Sequence, residues 1–360
     1  MTEFVQKNVT IKDIANEVGV SLGTVNKALT GKPGISERRR LEIQQVAQNM
    51  GYEVNSVAQI MSRKPMTIGV VMPTWSNGEY YGEDKYYESM KTGMEKEFEY
   101  LKKYKINAAY YTVDKTPDST DISDFKQWIK DYQPEAICFC PRIHPRNRKL
   151  MDYIVQERIP LFLSGGGVEP PKECMTMVSV DAFLSGKMTA DFFYCIHGRE
   201  AKTVALVESM ETIIAAKKVS AFAAQIETYE ADTPIIIETS YDINIMRKAL
   251  VTLFKEHPEV NCIYVTNAKS VPVCEFIEKH NLKDKVTLVT TDYFDEIHNY
   301  MKKNIIKATL LQNQEKVGRI VVSQAYDYLV KKRTYGNENV EPTERIFVKP
   351  DFCLKSYFEA

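Results

Sequence analysis

The stretch that decides the fold of the N-terminal part is VTIKDIANEVGVSLGTVNKALTGK, residues 9–32. Apolar residues recur at helical spacing over 11–18, and Thr10 can cap the start of that segment. Gly19 ends it, and Ser21 can cap a second helix of the same kind. Two short amphipathic helices around one glycine-containing turn are typical of a helix-turn-helix unit.

A third amphipathic segment follows the second. TGKPG, residues 30–34, ends the second helix, and Ser36 can cap the third. Its inward-facing apolar positions are Leu41, Ile43, Val46 and Met50. Three short helices that share one small core complete the unit. Small helical caps on enzymes have the same pattern, so the pattern alone leaves both interpretations open.

The composition is that of an ordinary globular protein long enough for more than one core. The 360 residues are 44% hydrophobic and 26% charged, with a formal net charge of −1. The first 64 residues hold nine basic and six acidic side chains, a net +3, which leaves about −4 for the remainder. This excess is weak evidence for nucleic acid by itself.

The sequence also predicts the compartment. The N-terminus has no basic region followed by an apolar core, and no apolar run approaches the roughly 20 residues that span a bilayer. The seven cysteines are scattered, and Cys138 and Cys140 alternate along a predicted strand rather than forming a CxxC metal motif. We therefore expect a cytoplasmic protein with reduced thiols, no membrane segment and no metal.

From residue 67 onward, short β-rich apolar runs alternate with helical segments. This alternation predicts α/β architecture with doubly wound, mostly parallel sheets. Polar residues follow many of the strands, and ligands of such sheets sit at the carboxyl ends of strands. These strand-end residues are Thr74, Arg142, Ser164, Glu208, Asn267, Asp292 and Gln312. Alternatively, each of them begins a loop or caps a helix.

The segment VTIKDIANEVGVSLGTVNKALTGKPGISERRRLEIQQVAQNMGYEVNSVAQIMSRKPMTIGVV, residues 9–71, resembles the head of a LacI-family transcriptional regulator. The resemblance implies a helix-turn-helix domain over 1–54, a hinge helix and linker over 55–66, and an effector domain over 67–360. That last domain would comprise two subdomains of the periplasmic-binding-protein-like type I. The implied protein is a homodimeric repressor that binds pseudo-palindromic operator DNA with an affinity set by a small ligand.

The resemblance also implies how DNA would be read. The second helix would enter the major groove, where Leu22 can touch a thymine methyl, Gly23 allows close approach, and Lys27 bonds either guanine or a phosphate. Residues 55–63 would form the hinge helix over the minor groove, with Met61 as the apolar wedge. The implied DNA-binding residues are Thr10, Ser21, Leu22, Gly23, Thr24, Asn26, Lys27, Asn55, Val57, Ala58 and Met61.

The ligand, by the same resemblance, lies between the two subdomains. The implied ligand-binding residues are Trp75, Asn77, Tyr81, Arg142, Ser164, Asp181, Lys218, Asn267, Asp292 and Gln312. Trp75 and Tyr80 or Tyr81 can stack on a sugar ring, and a carboxylate such as Asp292 can accept two hydroxyl hydrogen bonds. A sugar or sugar derivative is the leading expectation for the ligand.

Two departures from the family pattern keep other ligands open. Lys218 stands where the family often has Arg, and Lys cannot make the bidentate grip of Arg. Ala268 replaces the Asp that usually follows the position of Asn267. A nucleoside, a polyol or a sugar phosphate is therefore an alternative, the last if Arg142, Lys217 and Lys218 converge.

An enzyme or a solute-binding transport component is the rival to a regulator. We find no nucleophile elbow, Walker or Rossmann glycine pattern, or metal-ligand spacing, and we expect no catalytic residues and no cofactor. The glycine-rich SGGGVEPP, residues 164–171, contains two prolines that argue against a phosphate-binding helix start. The N-terminal motif and the lack of a signal peptide count against a transport component.

Overall fold

The computed structural model describes residues 9–30, 32–50, 63–73, 83–113, 120–142, 145–165, 168–240, 242–335 and 345–348. The chain divides into two compact units, Met1–Lys64 and Pro65–Ala360. In the described part of the chain, no helix is long and apolar enough to cross a membrane.

The first unit contains three helices around one small core. They are α1 (Ile11–Val18), α2 (Leu22–Thr30) and α3 (Glu37–Asn49). Thr10 and Asp13 form a capping box at the start of α1, and Gly19 ends that helix with φ 68°. The buried side chains, at most 5% exposed, are Ile14, Ala15, Val25, Ala28, Ile43 and Ala47. The predicted Thr10 cap and three-helix unit are confirmed. Leu41 was predicted to face inward and is instead 59% exposed, whereas its neighbour Ile43 enters the core.

The first sheet of the second unit is entirely parallel. Its strands are β1 (Met66–Pro73), β2 (Ile106–Val113), β3 (Ala136–Phe139), β4 (Leu161–Ser164) and β5 (Thr176–Val178). Their order across the sheet is β2-β1-β3-β4-β5. The helices that follow the first three strands are α4 (Glu83–Leu101), α5 (Ser123–Tyr132) and α6 (Pro145–Gln156).

The second sheet is parallel apart from its last strand. Its strands are β6 (Thr203–Val207), β7 (Ile235–Glu238), β8 (Cys262–Val265), β9 (Thr287–Thr291), β10 (Ile306–Leu311) and β11 (Arg345–Val348). Their order is β11-β10-β9-β8-β6-β7, and β11 runs antiparallel to β10. The accompanying helices are α7 (Ala182–His197), α8 (Ile213–Thr228), α9 (Ile243–Glu256), α10 (Val271–Lys279) and α11 (Asp295–Lys302).

Helices cover both faces of each sheet. In the first sheet, Phe125 and Trp128 of α5 pack on one face, and Met90 and Met94 of α4 pack on the other. In the second sheet, Phe193 and Phe222 of α7 and α8 lie in one core, and α9, α10 and α11 supply the other. The predicted architecture of two doubly wound α/β subdomains is therefore confirmed.

One helix joins the two subdomains. α12 (Gln314–Tyr326) follows β10 of the second sheet, yet its buried Val317 and Val321 pack in the core of the first sheet. It lies so close to α4 that a Cβ placed on Gly93 would be 1.9 Å from the carbonyl oxygen of Glu315. The first residues of α12 are thereby held to the first subdomain, while the strand before them belongs to the second.

Candidate functional sites

The second helix of the first unit presents polar and apolar side chains to solvent. Ser21 precedes it: the Thr24 backbone N–H donates to Ser21 Oγ at 3.2 Å, and the two hydroxyls lie 2.9 Å apart. Leu22 is 53% exposed, which is high for a leucine next to a small core. Among the predicted DNA-binding residues, the exposed ones in the described ranges are Thr10, Ser21, Leu22, Gly23, Asn26 and Lys27.

Some predicted site residues fall outside the described residues. On the DNA side these are Asn55, Val57, Ala58 and Met61. On the ligand side they are Trp75, Asn77 and Tyr81. The remaining predicted ligand residues all lie in the second unit.

A buried carboxylate lies at the carboxyl end of β9. Asp292 is 4% exposed, and Gln312 Nε2 donates to its two carboxylate oxygens at 2.9 and 3.0 Å. Gln314 Nε2 donates to Asp292 Oδ1 as well. Burial raises the pKa of Asp292 to about 6, while the hydrogen bond from Gln312, the charge of Lys218 and the bond from Gln314 oppose that rise.

Lys218 is joined to Asp292 through Gln312, and the three side chains form one hydrogen-bond network. Its side chain belongs to α8 and is 2% exposed, and Nζ donates to Gln312 Oε1 at 2.9 Å and to the Thr266 carbonyl oxygen at 3.0 Å. The helix carrying it is held tightly, because a Cβ on Gly186 of α7 would lie 2.2 Å from the Lys218 carbonyl oxygen. The ammonium group thus serves the protein's own acceptors and supports Gln312, which in turn bonds Asp292.

A second polar pair lies at the ends of β6 and β8. Asn267 Nδ2 donates to Glu208 Oε2 at 2.7 Å, and Asn267 Oδ1 accepts from the Lys269 backbone N–H at 2.8 Å. Both partners are half-buried. Asp181, another predicted ligand residue, caps α7: its Oδ1 accepts from the Leu184 backbone N–H at 2.9 Å. The structure thus gives the Asp181 carboxylate a partner at the start of α7.

The first subdomain contributes aromatic side chains to the same region. The phenol oxygen of Tyr86 would lie 3.9 Å from a Cβ on Gly165, just beyond β4, so it sits at the carboxyl end of the first sheet. Burial raises the pKa of the Tyr86 phenol, with smaller contributions from Cys140, Tyr87 and Asp292. Because Asp292 belongs to the second sheet, the strand ends of the two subdomains face each other here.

The other predicted residues of the first subdomain have mixed surroundings. Ser164 is fully buried at the end of β4. Arg142 is half-buried, and its guanidinium carbon lies 4.5 Å from the centre of the Tyr87 ring. The structure therefore places Arg142 on an aromatic face and Lys218 within a hydrogen-bond network of the other subdomain.

Two residues of this region were missed by the sequence reasoning. Tyr86 lies on α4, after the predicted ring-stacking residues Trp75, Tyr80 and Tyr81, and nothing in the local pattern separates it from its neighbour Tyr87. Gln314 lies two residues after the predicted Gln312, and its polar side chain at the start of an apolar helix was an available signal. In the described ranges, no group of three or more His, Cys, Asp or Glu residues is arranged to hold a metal ion.

The arrangement suits recognition of a small polar molecule. Carboxylate, amide and carbonyl groups lie at adjacent strand ends of the second sheet, and aromatic rings lie opposite on the first. Such groups accept and donate hydrogen bonds in fixed directions, while the rings provide apolar surface.

Comparison with known proteins identifies two family matches. Residues 68–333, more than half of the chain, match the family described as "Periplasmic binding protein domain". Residues 10–55 match "Bacterial regulatory proteins, lacI family".

Similar individual proteins agree with these matches. The catabolite control protein A of Priestia megaterium is 38% identical over 71 residues, which cover 19% of this chain and 21% of that protein. The protein of the same name from Streptococcus mutans is 27% identical over 158 residues, 44% of this chain and 43% of that protein. The matched part of the chain thus spans less than half the length of these relatives.

Solved structures show the fold of the second unit. A putative LacI transcriptional regulator from Bacteroides fragilis matches with a TM-score of 0.66 at 17% identity, over 79% of this chain and 98% of that one. GanP, a glucose-galactose binding protein from Geobacillus stearothermophilus, matches with a TM-score of 0.65 at 16% identity, over 81% and 99%.

Proposed function

Because the chain belongs to the periplasmic-binding-protein domain family and carries a lacI-family regulatory domain at its N-terminal end, we propose that it is a transcriptional regulator. It binds operator DNA through the first unit, and a small ligand held by the second unit sets that affinity. The observation that carries the proposal is a compact three-helix unit whose α2 exposes Leu22, Asn26 and Lys27, on the same chain as a polar network at the strand ends of the second unit.

In this proposal α2 enters the major groove. The exposed Leu22 contacts a thymine methyl, Lys27 bonds guanine or a phosphate, and Ser21 and Thr24 bind phosphates near the helix start. Residues 55–66 act as a hinge helix and linker between the domains 1–54 and 67–360, with Met61 at the minor groove. About six helical residues cannot be stable alone, so pairing of two copies on DNA supplies the ordering energy.

We propose that the ligand is an uncharged sugar or a closely related polyol. Asp292 offers a buried carboxylate, and Asn267 with Glu208 offers further polar groups, the acceptors that sugar hydroxyls require. A phosphate needs free cations, whereas Lys218 already donates to Gln312 and to the Thr266 carbonyl. This engagement favours a sugar over a sugar phosphate.

The proposed assembly is a homodimer, because a pseudo-palindromic operator has two half-sites that two identical heads can occupy together. A DNA-binding regulator acts where the chromosome is, so we place it in the bacterial cytoplasm. A sugar-binding protein with a helical appendage is the alternative function, and it differs by having no specific affinity for DNA.

A mobility-shift titration tests the proposal. The probes are duplex fragments from beside the protein's own gene and a shuffled control of equal length. We expect specific retardation that weakens steeply between 50 and 200 mM salt, as phosphate contacts require (on the order of 10³-fold or more for six contacts). A thermal-shift panel of sugars and sugar phosphates then identifies the effector, because a ligand that binds only the folded state raises its melting temperature. Sugar binding without any specific retardation would favour the alternative.

A further inference from the structure

The C-terminal end of α2 is held by side chains of α3. Arg40 Nη1 donates to the Lys27 carbonyl oxygen at 2.9 Å, and Arg40 Nη2 donates to the Lys32 carbonyl oxygen at 2.8 Å. Gln44 Nε2, one turn further along α3, donates to the Ala28 carbonyl oxygen at 3.1 Å. Two side chains on one face of α3 therefore donate to carbonyl groups at and just beyond the last turn of α2, where the Lys27 carbonyl oxygen also accepts from the Lys32 backbone N–H at 3.1 Å.

Elementary helix physics explains why these contacts matter. The last four carbonyl groups of a helix have no partner within it, and a cation near them interacts favourably with the helix dipole. With nine residues, α2 is too short to be stable by itself. The rigid guanidinium fork of Arg40 can join two carbonyl oxygens at once, and its side chain is only 14% exposed.

The hydrogen bonds of Arg40 also affect where the Lys27 side chain lies. Gly34 has φ +100°, and a Cβ placed there would lie 3.2 Å from Lys27 Nζ and 3.9 Å from its Cδ. The stem of Lys27 therefore runs beside the turn that contains Gly34. Arg40 ties this turn, through Lys32, to the helical turn that carries Lys27.

The neighbouring arginines make different contacts. Arg39 pairs with Glu42 at 2.8 Å and donates to the Val18 carbonyl oxygen at 3.3 Å, at the end of α1. Arg38 is exposed on the surface of the unit. Three adjacent arginines thus make different contacts. Arg38 has the same charge as Arg40 and lies on the same helix, so it is a matched control for Arg40.

We propose that Arg40 is a positioning residue for base recognition, acting through Lys27 rather than on DNA itself. It fixes the direction in which Lys27 leaves α2 and so determines the base pair that Lys27 prefers. This inference rests on the proposed function. Its rival is a direct contact between Arg40 and a phosphate, which would add affinity without sequence preference.

Selection from a random-sequence duplex library, using the full-length protein, distinguishes these roles. We compare the wild type with Arg40→Gln, Arg38→Gln, Lys27→Ala and the Arg40→Gln/Lys27→Ala double variant. Wild type and Arg38→Gln should share one preference, and Lys27→Ala should lose it at one position by about fivefold or more. Arg40→Gln should lose preference at that same position, and the double variant should lose no more than Lys27→Ala alone.

The dependence of non-specific binding on salt is the second measurement. A positioning residue leaves the slope of log K against log salt unchanged, whereas loss of a phosphate contact reduces it by about 0.9. Circular dichroism verifies folding, and Arg40→Lys, which cannot bridge two carbonyls, replaces Arg40→Gln if the latter unfolds. An unchanged base preference in a folded Arg40 variant, additive losses in the double variant, or a reduced slope would each overturn the inference. A wild type without any preference would instead refute the proposed function.

Discussion

At the scale of single residues, Asp292 is an ionisable side chain in a buried environment that disfavours its charged form. The residue is 4% exposed, and within the described ranges its carboxylate accepts hydrogen bonds from the side-chain amides of Gln312 and Gln314. Its backbone has φ 72°, in the left-handed region that Asp tolerates better than most residues. A carboxylate held in this way is costly to the fold unless it serves a ligand.

This cost predicts a pH dependence of stability. The folded-state pKa of about 6 lies above the unfolded value near 4, so the native state binds the extra proton between these pH values. The stabilisation is complete below about pH 4 and is lost as the pH rises through 6. Relative to Asp292→Asn, the wild-type free energy of unfolding should fall by about 2–3 kcal/mol over that window.

Denaturant unfolding of the full chain at several pH values between 4 and 7.5 measures this difference. Asp295→Asn, at an exposed position three residues away, serves as the control and should follow the wild type. Parallel curves for the wild type and Asp292→Asn would show that Asp292 does not titrate in this range.

At the scale of elements, α2 contains a glycine where helix stability alone favours alanine. A Cβ on Gly23 would meet only Ser21 Oγ, at 3.7 Å, which is ordinary contact. Alanine should therefore stabilise the first unit by about 0.5–1 kcal/mol. If Gly23 allows close approach to DNA, the same Gly23→Ala change should weaken operator binding about tenfold, since each contact at a base is worth about 1–3 kcal/mol.

Unfolding of the first unit and mobility-shift titration of the same protein measure the two effects. Gln45→Ala, an exposed change on α3, controls for helix propensity and should leave DNA binding unchanged. Higher stability with unaltered operator affinity would remove Gly23 from the DNA contact surface.

The elements also show what can be predicted from the sequence. Helical periodicity and strand–helix alternation predicted the three-helix unit and the parallel subdomains, because each pattern reflects one buried face. Periodicity does not state which sheet a helix covers, so the packing of α12 on the first sheet was not predicted. It depends on Gly93 and Gly318, where α4 and α12 approach so closely that an added Cβ would meet carbonyl oxygens at about 2 Å.

The candidate site also contains residues that the sequence predicts and residues that it does not. Asp292 and Gln312 were predicted because they end strands, and the structure brings them into one hydrogen-bonded network with Lys218. Gln314 reaches this region at the start of α12, the helix that crosses from the second sheet to the first, and Tyr86 reaches it near the start of α4. No local spacing encodes either relation. Asp181 has the strand-end pattern as well, yet it caps a helix.

At the scale of the whole molecule, the two units have separate cores. The buried cluster around Ile14 and Ile43 lies within the first unit, and the clusters of both sheets lie within the second. Deleting residues 1–64 should therefore abolish DNA retardation while the remainder stays folded and keeps its ligand affinity.

Calorimetric unfolding and binding of the sugar found in the thermal-shift panel compare the truncated protein with the full chain. Replacing Asp292 by Ala in the truncated protein is the control that should weaken binding without unfolding. Retardation of operator DNA by the truncated protein would refute the assignment of DNA binding to the first unit.

The passage of α12 between subdomains has a consequence for synthesis on the ribosome. Strand β1 emerges early, but its buried Ile68 and Val70 share a core with Val317 and Val321 of α12. That core cannot close until nearly the whole second subdomain has been translated, whereas the core of the first unit is available after about residue 50. The nascent chain should therefore carry a finished three-helix unit and an open first sheet for most of its elongation, the interval in which a chaperone has the most apolar surface to protect.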